Sequence, residues 1–528
     1  MLSAINLTIF FLWLLSAVID YSEFCYIWQL KEYRWDRFHD FLTTQQGKTY
    51  WVKYRLLWRS TIAFFIFFWP MNDVLTVKYI LLLLFAVDLA YNAFKFYGSS
   101  LMHPKYTQKA MVIIAAAILF EGLIFVFARD WVLFLVLLII RFLIITGVIF
   151  IINQISNIFK KFLIQKATRK LSEHKNLLVI GITGSYGKST VKKFLHHILE
   201  QKYHVIRTPR NINTEIGVAQ FVLSTDLSGV EVFIVEMGAY QIGEIALICQ
   251  MVKPTIGILT AINEQHLSLF GSIEKTQQAK YELLKSLPAD GLAVINFDND
   301  YCREKADKLR CYVVSYGLDA DQNPNCLVKD VKSNLNGISF VAEIGAEESE
   351  FLTPIVGEHN VMNIAPCLLI GQKIDVPMET MRIAVATLPP SLKIFKYGNS
   401  DIIDDSYNSN PDGFKAALEI LNKYPTERKR VVVTRGMLEL GDESEIIHEK
   451  IGEEISVVAD ELVIITKDFV EPLSRGVAGR FKTVVVCKPD PAELLAYLQG
   501  LKDSSAVILL ENRIPENVMR EIKYEDLS

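Results

Sequence analysis

The chain has 528 residues, enough for several domains, and its formal net charge of −4 argues against a general nucleic-acid binder. A hydrophobic fraction of 51% hides two unlike parts: apolar and aromatic to about residue 157, an ordinary α/β sequence beyond it. The seven cysteines form no CxxC pair, so neither a zinc site nor a disulfide framework is indicated and free thiols are expected.

Residues 1–19 carry no charge and are rich in Leu, Ile and Phe. A cleavable signal peptide would show a basic start and a small-residue cleavage site; both are missing, so an uncleaved membrane span is expected. Ser60–Asn72 is also uncharged but short, and it spans only if Leu56–Trp58 join it and Arg59 snorkels. A turn at Pro70–Asp73 leads to a third span near Val74–Phe94. A fourth fits Ala110–Ala128, and a fifth runs from Trp131 to about Ile152. Basic residues cluster at 31–59 (Lys31 to Arg59), at Lys95, Lys105 and Lys109, and again from Lys160 to Lys170. The positive-inside rule then places the N-terminus outside and everything after the fifth span in the cytoplasm, making a multi-pass protein of the inner or plasma membrane. Four spans with a re-entrant second segment is the competing arrangement. Asp88, Glu121 and Arg141 fall inside the expected spans, where charge is costly. The favoured reading is that Arg141 pairs with an acid and locks the bundle; the other is a groove for a lipid-linked substrate.

Asn176–Ile182 (NLLVIGI) reads as a buried strand. It runs into Thr183-Gly184-Ser185-Tyr186-Gly187-Lys188-Ser189-Thr190, and then VKKFLHHILE repeats apolar residues at helical spacing. A phosphate loop needs this strand–loop–helix setting. Small residues let backbone N–H groups approach phosphate, and the helix N-terminus adds positive potential. Lys188 can neutralise β/γ-phosphate charge and Ser189 can hold Mg²⁺. The strict G-x4-G-K-[ST] pattern fails, because Ile182 stands where its first Gly belongs. Glu236 ends an apolar strand, VFIVE; a carboxylate there faces the ligand crevice of a doubly wound sheet and suits Mg²⁺.

The loop GITGSYGKST resembles the ATP loop of the Mur ligases, G-x-T-G-x-x-G-K-[TS]. NINTEIGV (211–218), EMGAYQIGEI (236–245), NEQHLSLFGSIEKTQQAKYELL (263–284), GEHNVMN (357–363) and DDSYNSNPDGFKAAL (404–418) match in order. The ordered set covers the chain from about residue 176 onward, and DDSYNSNP with EMGA points to the D-alanyl-D-alanine-adding branch. The resemblance implies an ATP-dependent, ADP-forming ligase that makes an acyl phosphate on a carboxylate and couples it to an amine. It implies two Mg²⁺ ions. Ser189 and Glu236 would serve one, and His266 with a carbamylated Lys280 the other. Physics alone would leave Lys280 a solvated helix lysine. Thr183, Gly184, Ser185, Gly187, Lys188, Ser189 and Thr190 would wrap the phosphates. Thr214 and Glu215 would lie near the γ-phosphate and the acyl phosphate. Asn360 and Asn363 match positions near the adenine. Asp405, Tyr407, Asn408 and Asn410 would close over the nucleotide, the Asp towards the ribose and the Asn-Pro end towards the reaction centre. The implied catalytic set is Lys188, Glu236, His266 and Lys280.

Three departures qualify the resemblance. The membrane bundle stands where the family has its UDP-sugar domain. Leu392-Lys393 replaces Gly-Arg, so the phosphate-steadying residue keeps its charge but loses the bidentate fork. TRGMLELG (434–441) and LLENR (509–513) replace G-D-M-L-E-L-G and a K-G-S-R-like segment near the incoming amino acid. ATP chemistry therefore looks retained while both substrate ends are altered. The expected partners are ATP, an envelope precursor carrying a carboxylate, an amino acid or dipeptide, and membrane lipid, with no nucleic acid. The alternatives are a ligase acting on another polymer, such as a polyglutamate capsule chain, and a non-catalytic ATP-binding membrane scaffold. The expected architecture is an N-terminal α-helical transmembrane bundle (1–157), then α/β: a Mur-ligase-like central P-loop domain (171–390) with a small added β-sheet at 311–356, and a C-terminal Rossmann-like domain (391–528).

Overall fold

A computed structural model describes residues 2–43, 74–97, 103–128, 131–209, 212–263, 270–389, 392–406, 411–437, 440, 443–478 and 483–524. The chain divides into two compact units, Met1–Phe162 and Leu163–Ser528.

The first unit is helical: α1 (Leu2–Leu30), α2 (Trp35–Thr43), α3 (Val74–Tyr97), α4 (Gln108–Ala128) and α5 (Trp131–Ser172), whose last turns from Leu163 belong to the second unit. Among the described residues, Ile5–Leu30, Leu75–Asn92 and Val136–Ser172 are long and apolar enough to cross a membrane. The segments expected as the third and fourth spans are helical, α3 and α4, but only α3 holds one of those three stretches; the expected second span lies outside the described residues. Two boundaries differ from expectation. Helix α1 continues past residue 19 through Asp20 and Glu23, and α5 continues past Ile152 for twenty residues to Ser172. The reason in α1 is pairing. The Arg141 guanidinium, fully buried, donates from Nη1 to Asp20 Oδ2 at 2.8 Å and to Ser16 Oγ at 2.8 Å, and from Nη2 to Glu121 Oε1 at 3.1 Å. Trp13 Nε1 and Tyr21 Oη each donate to Glu121 at 2.7 Å, and Ser16 Oγ donates to Asp88 at 3.1 Å. Charges that interrupt an apolar run in sequence are neutralised in space, so the helix has no reason to stop at them. Arg141 therefore does pair with acids, on two different helices.

The second unit is built on two sheets. The first has nine strands in the order β2-β3-β1-β4-β5-β6-β7-β8-β9. Its parallel strands are β1 (Leu178–Thr183), β2 (Val205–Arg207), β3 (Val232–Glu236), β4 (Ile256–Leu259), β5 (Leu292–Asn296), β6 (Tyr312–Gly317) and β7 (Cys326–Asn334). β8 (Gly337–Ile344) and β9 (Glu347–Thr353) add antiparallel hairpins. The small added β-sheet expected at 311–356 is an extension of the main one: β6 pairs in parallel with β5, and the hairpins carry the same ladder outward. The β1 and β3 strands are apolar almost throughout and covered on both faces, as parallel strands must be. Helix α6 (Lys188–Leu199) and the helix Val361–Lys373 cover one face; α7 (Glu215–Ser224), α8 (Glu244–Val252) and α9 (Ile273–Lys285) cover the other. The second sheet orders as β10-β11-β15-β12-β13-β14. Here β11 (Ser400–Asp405), β12 (Arg430–Thr434), β13 (Glu461–Ile464), β14 (Val484–Cys487) and β15 (Val507–Glu511) are parallel, and the unexpected β10 (Lys393–Tyr397) pairs antiparallel at the edge.

Candidate functional site

The parallel strands β1, β3 and β4 end side by side, in register at Ile182↔Glu236 and Thr183↔Leu259. The loop after β1 crosses their C-terminal mouth. Thr183 is fully buried and its hydroxyl donates to Met237 O at 2.9 Å, tying β1 to the residue after β3. Ser185 N donates to Ala261 O at 2.7 Å, and Ser185 Oγ accepts from Asn263 N at 3.2 Å. Gly184 (φ 148°) and Gly187 (φ 81°) both lie in the left-handed half of backbone space. A Cβ on Gly184 would collide with Thr260 Oγ1 and stand 3.0 Å from Ala261 N; one on Gly187 would stand 2.7 Å from Asn363 Oδ1. The loop is thus held from three sides with its amides grouped at the start of α6, a shape that suits a phosphate anion. Gly184→Ala is expected to lower stability by about 1–3 kcal/mol, read as a fall in the thermal midpoint; an unchanged midpoint would contradict the strain described here.

Lys188 opens α6 half-buried, and its ammonium donates to Gly184 O at 2.6 Å and Ser185 O at 2.9 Å. Burial lowers its pKa and nearby Glu236 pulls it back. Ser189 Oγ donates to Glu236 Oε2 at 2.9 Å, and Thr190 follows half-buried on the same turn. Glu236, 2% exposed, also takes Asn213 Nδ2 on Oε1 at 3.2 Å and an ion pair from Lys192 Nζ on Oε2 at 2.8 Å. Burial pushes this carboxyl up, but Lys192, then Lys188 and Ser189, outweigh it and leave the pKa below the usual carboxylate range. A carboxylate beside a hydroxyl is a hard-oxygen pair that fits a magnesium ion.

Lys280 on α9 is 2% exposed, 5.8 Å over the Phe270 ring. Burial, and then repulsion from Lys188, push its pKa down to about 7 against the pull of Glu244 and Glu282. Thr214 caps α7, its Oγ1 accepting from Gly217 N at 3.3 Å, and Glu215 begins that helix, largely buried. Asn360 is buried; its Nδ2 donates to Val356 O at 2.9 Å and its Oδ1 accepts from Asn363 Nδ2 at 3.1 Å. Asn363 in turn lies over Gly187, so this pair reaches the phosphate loop. Lys393 is exposed on β10. Asp405 ends β11 opposite Glu511 on β15; burial raises its pKa to about 6 against a hydrogen bond with Glu511, with Asp404 adding to the rise. His266, Tyr407, Asn408 and Asn410 lie outside the described residues. Among the described residues, three or more His, Cys, Asp or Glu side chains nowhere gather into a metal cage. Lys192 escaped the sequence reading, because a lysine on an amphipathic helix ordinarily signals solvent.

This strand–loop–helix site, on a parallel sheet followed by a smaller α/β sheet, agrees with the comparisons. Residues 182–371 match the Mur ligase middle domain and residues 393–511 match the Mur ligase, glutamate ligase domain. Together these cover more than half of the chain, which belongs to the Mur ligase family. Among its relatives are the UDP-N-acetylmuramoyl-tripeptide–D-alanyl-D-alanine ligases of Bacillus subtilis, 32% identical over 53% of this chain and 60% of that one, and of Escherichia coli, 28% identical over 52% and 61%. The chain thus spans about six tenths of the length of these relatives. A solved MurF ligase from Thermotoga maritima in complex with ADP superposes with a TM-score of 0.61 at 25% identity, covering 69% of this chain and 84% of that one. MurF from Acinetobacter baumannii, 23% identical over 69% of this chain and 80% of that one, shares the fold with a TM-score of 0.62.

Proposed function

We propose that this chain is a membrane-anchored, ATP-dependent ligase acting on a cell-envelope precursor in peptidoglycan synthesis. The observation that carries the reading is the Gly184–Ser189 loop with Lys188, Ser189 and Glu236 converging at the mouth of β1 and β3. The ADP bound to the Thermotoga relative and the names of the curated relatives support it. The acceptor would be a muramoyl peptide or related carboxylate and the donor a D-alanyl-D-alanine-like amine. The apolar helices of the first unit would hold the enzyme in the plasma membrane with residues 163–528 in the cytoplasm.

In the first step the carboxylate oxygen attacks the γ-phosphorus of ATP; the bond to the β,γ-bridging oxygen breaks and ADP leaves. The neutral amine then attacks the acyl carbon, the C–O bond to phosphate breaks, the nitrogen sheds one proton to the departing phosphate, and an amide remains. Lys188 and the loop amides disperse phosphate charge, while Thr214 and Glu215 line the acceptor side. Bound magnesium would add Lewis-acid charge dispersal: Ser189 and Glu236 would hold one ion, and His266 with the Lys280 carbamate the other. Residues 391–528, with Lys393, Asp405, Tyr407, Asn408 and Asn410, would close on the nucleotide and exclude water from the acyl phosphate. Asn360 and Asn363 would sit towards the adenine. The test is ADP release by the full chain with a panel of envelope precursors and amines; release that no pair raises above the ATP-only rate would sink the reading.

Lys280 provides a further expectation. Carbamate formation joins a neutral amine to CO2 with loss of one proton, and a lysine with a pKa of about 7 is substantially neutral at neutral pH. Mass spectrometry after trapping should show Lys280 one CO2 heavier. In a CO2-stripped sample the unfolded lysine binds more protons than the folded one between pH 7 and its ordinary value of 10.5, so stability should rise with pH through that window, by up to a few kcal/mol. Lys280→Met should flatten this rise in thermal melting.

A further inference from the structure

Lys192 lies one helical turn beyond Lys188 on α6, on the same face. It is 3% exposed, an unusual burial for a lysine on a helix of a soluble domain. Its ammonium stands 2.8 Å from Glu236 Oε2 and donates to Pro209 O at 3.1 Å. It therefore joins three places at once: the phosphate-loop helix, the carboxylate ending β3, and Pro209 just after β2. Asn213 closes the same circuit, its side chain donating to Glu236 Oε1 at 3.2 Å while its carbonyl accepts from Gly238 N at 2.8 Å. Both carboxylate oxygens of Glu236 are consequently fixed in direction, with Ser189 Oγ sharing Oε2. A buried carboxylate left without a counter-charge would protonate or turn away.

We propose that Lys192 is a positioning residue, holding Glu236 aimed at Ser189 for the metal–nucleotide complex and tying Pro209, just after β2, to the phosphate-binding helix. Groups that orient a metal-binding carboxylate typically change metal affinity by about 10–100-fold when removed. This rests on the nucleotide-site reading above and adds a residue and a coupling to it.

The test uses the full chain in detergent or lipid nanodiscs, with the Lys192→Met and Lys192→Arg variants. Mn²⁺ affinity in the presence of ADP is read by electron paramagnetic resonance, ADP affinity without metal by calorimetry, and folding by thermal melting. Lys192→Met should weaken Mn²⁺ in the ADP complex by about 10–100-fold while metal-free ADP affinity stays within about two-fold, and Lys192→Arg should recover most of the loss. A merely structural lysine would lower the melting midpoint and leave the metal-dependent difference intact; that result overturns the proposal. If Lys192→Met fails to fold, Lys192→Gln, which keeps a donor without the charge, should show the same selective loss, and unchanged Mn²⁺ affinity there overturns it equally. Absence of metal-dependent ADP binding in the unmutated chain would instead overturn the nucleotide-site reading itself.

Discussion

Lys188→Ala is expected to cut ADP release by about 10²–10³-fold, the usual cost of deleting one donor aimed at charge that develops in a transition state. The geometry says why the loss falls on chemistry. Lys188 now donates to two carbonyls of its own loop, Gly184 O and Ser185 O. Phosphate oxygens are stronger acceptors for a cation than neutral carbonyls, so the ammonium is poised to exchange them. The loop itself is held by Thr260, Ala261 and Asn263 and does not need the lysine for its shape. Lys188→Ala should therefore melt close to the parent chain while losing turnover. Full ADP release by a folded Lys188→Ala variant would remove the basis for the enzyme reading.

The second large effect belongs to the helical first unit. Arg141→Leu should destabilise the bundle by about 3–5 kcal/mol, because Asp20 and Glu121 would stay buried without their counter-charge. The measurement is thermal unfolding of the full chain in detergent, followed by a probe in the helical unit. Adding Asp20→Asn and Glu121→Gln to Arg141→Leu should recover much of the loss, since a network without charge costs less than half of one. Additive losses across the three substitutions would show that the groups do not act as a unit.

The features legible in sequence were those whose chemistry is local. The glycines and Lys188-Ser189 are neighbours in the chain, and Glu236 is marked by the strand it ends. The features that escaped depend on partners distant in sequence. Helix α1 passes Asp20 because Arg141 waits 121 residues later. Lys192 looks solvated until β3 and Pro209 are folded against it. Strand β10 is short and half-exposed, with no clean alternation to announce it, and its pairing with β11 is a tertiary fact. Lys280 was singled out by family likeness alone; its burial beside Lys188 supplies the physical reason a sequence cannot contain.

The nine-stranded sheet has to end somewhere, and each end presents peptide groups that another chain can adopt as a template. At one end stands β2, three residues long, too brief to nucleate an intermolecular ladder. At the other, β9 reads EESEFLT, with Glu347, Glu348 and Glu350 concentrated in its first half. Two such strands approaching edge to edge would bring like charges directly opposite one another at the 4.7–4.9 Å spacing of a ladder, which destabilises the pairing. The hairpins that widen this sheet thus also protect it from self-association.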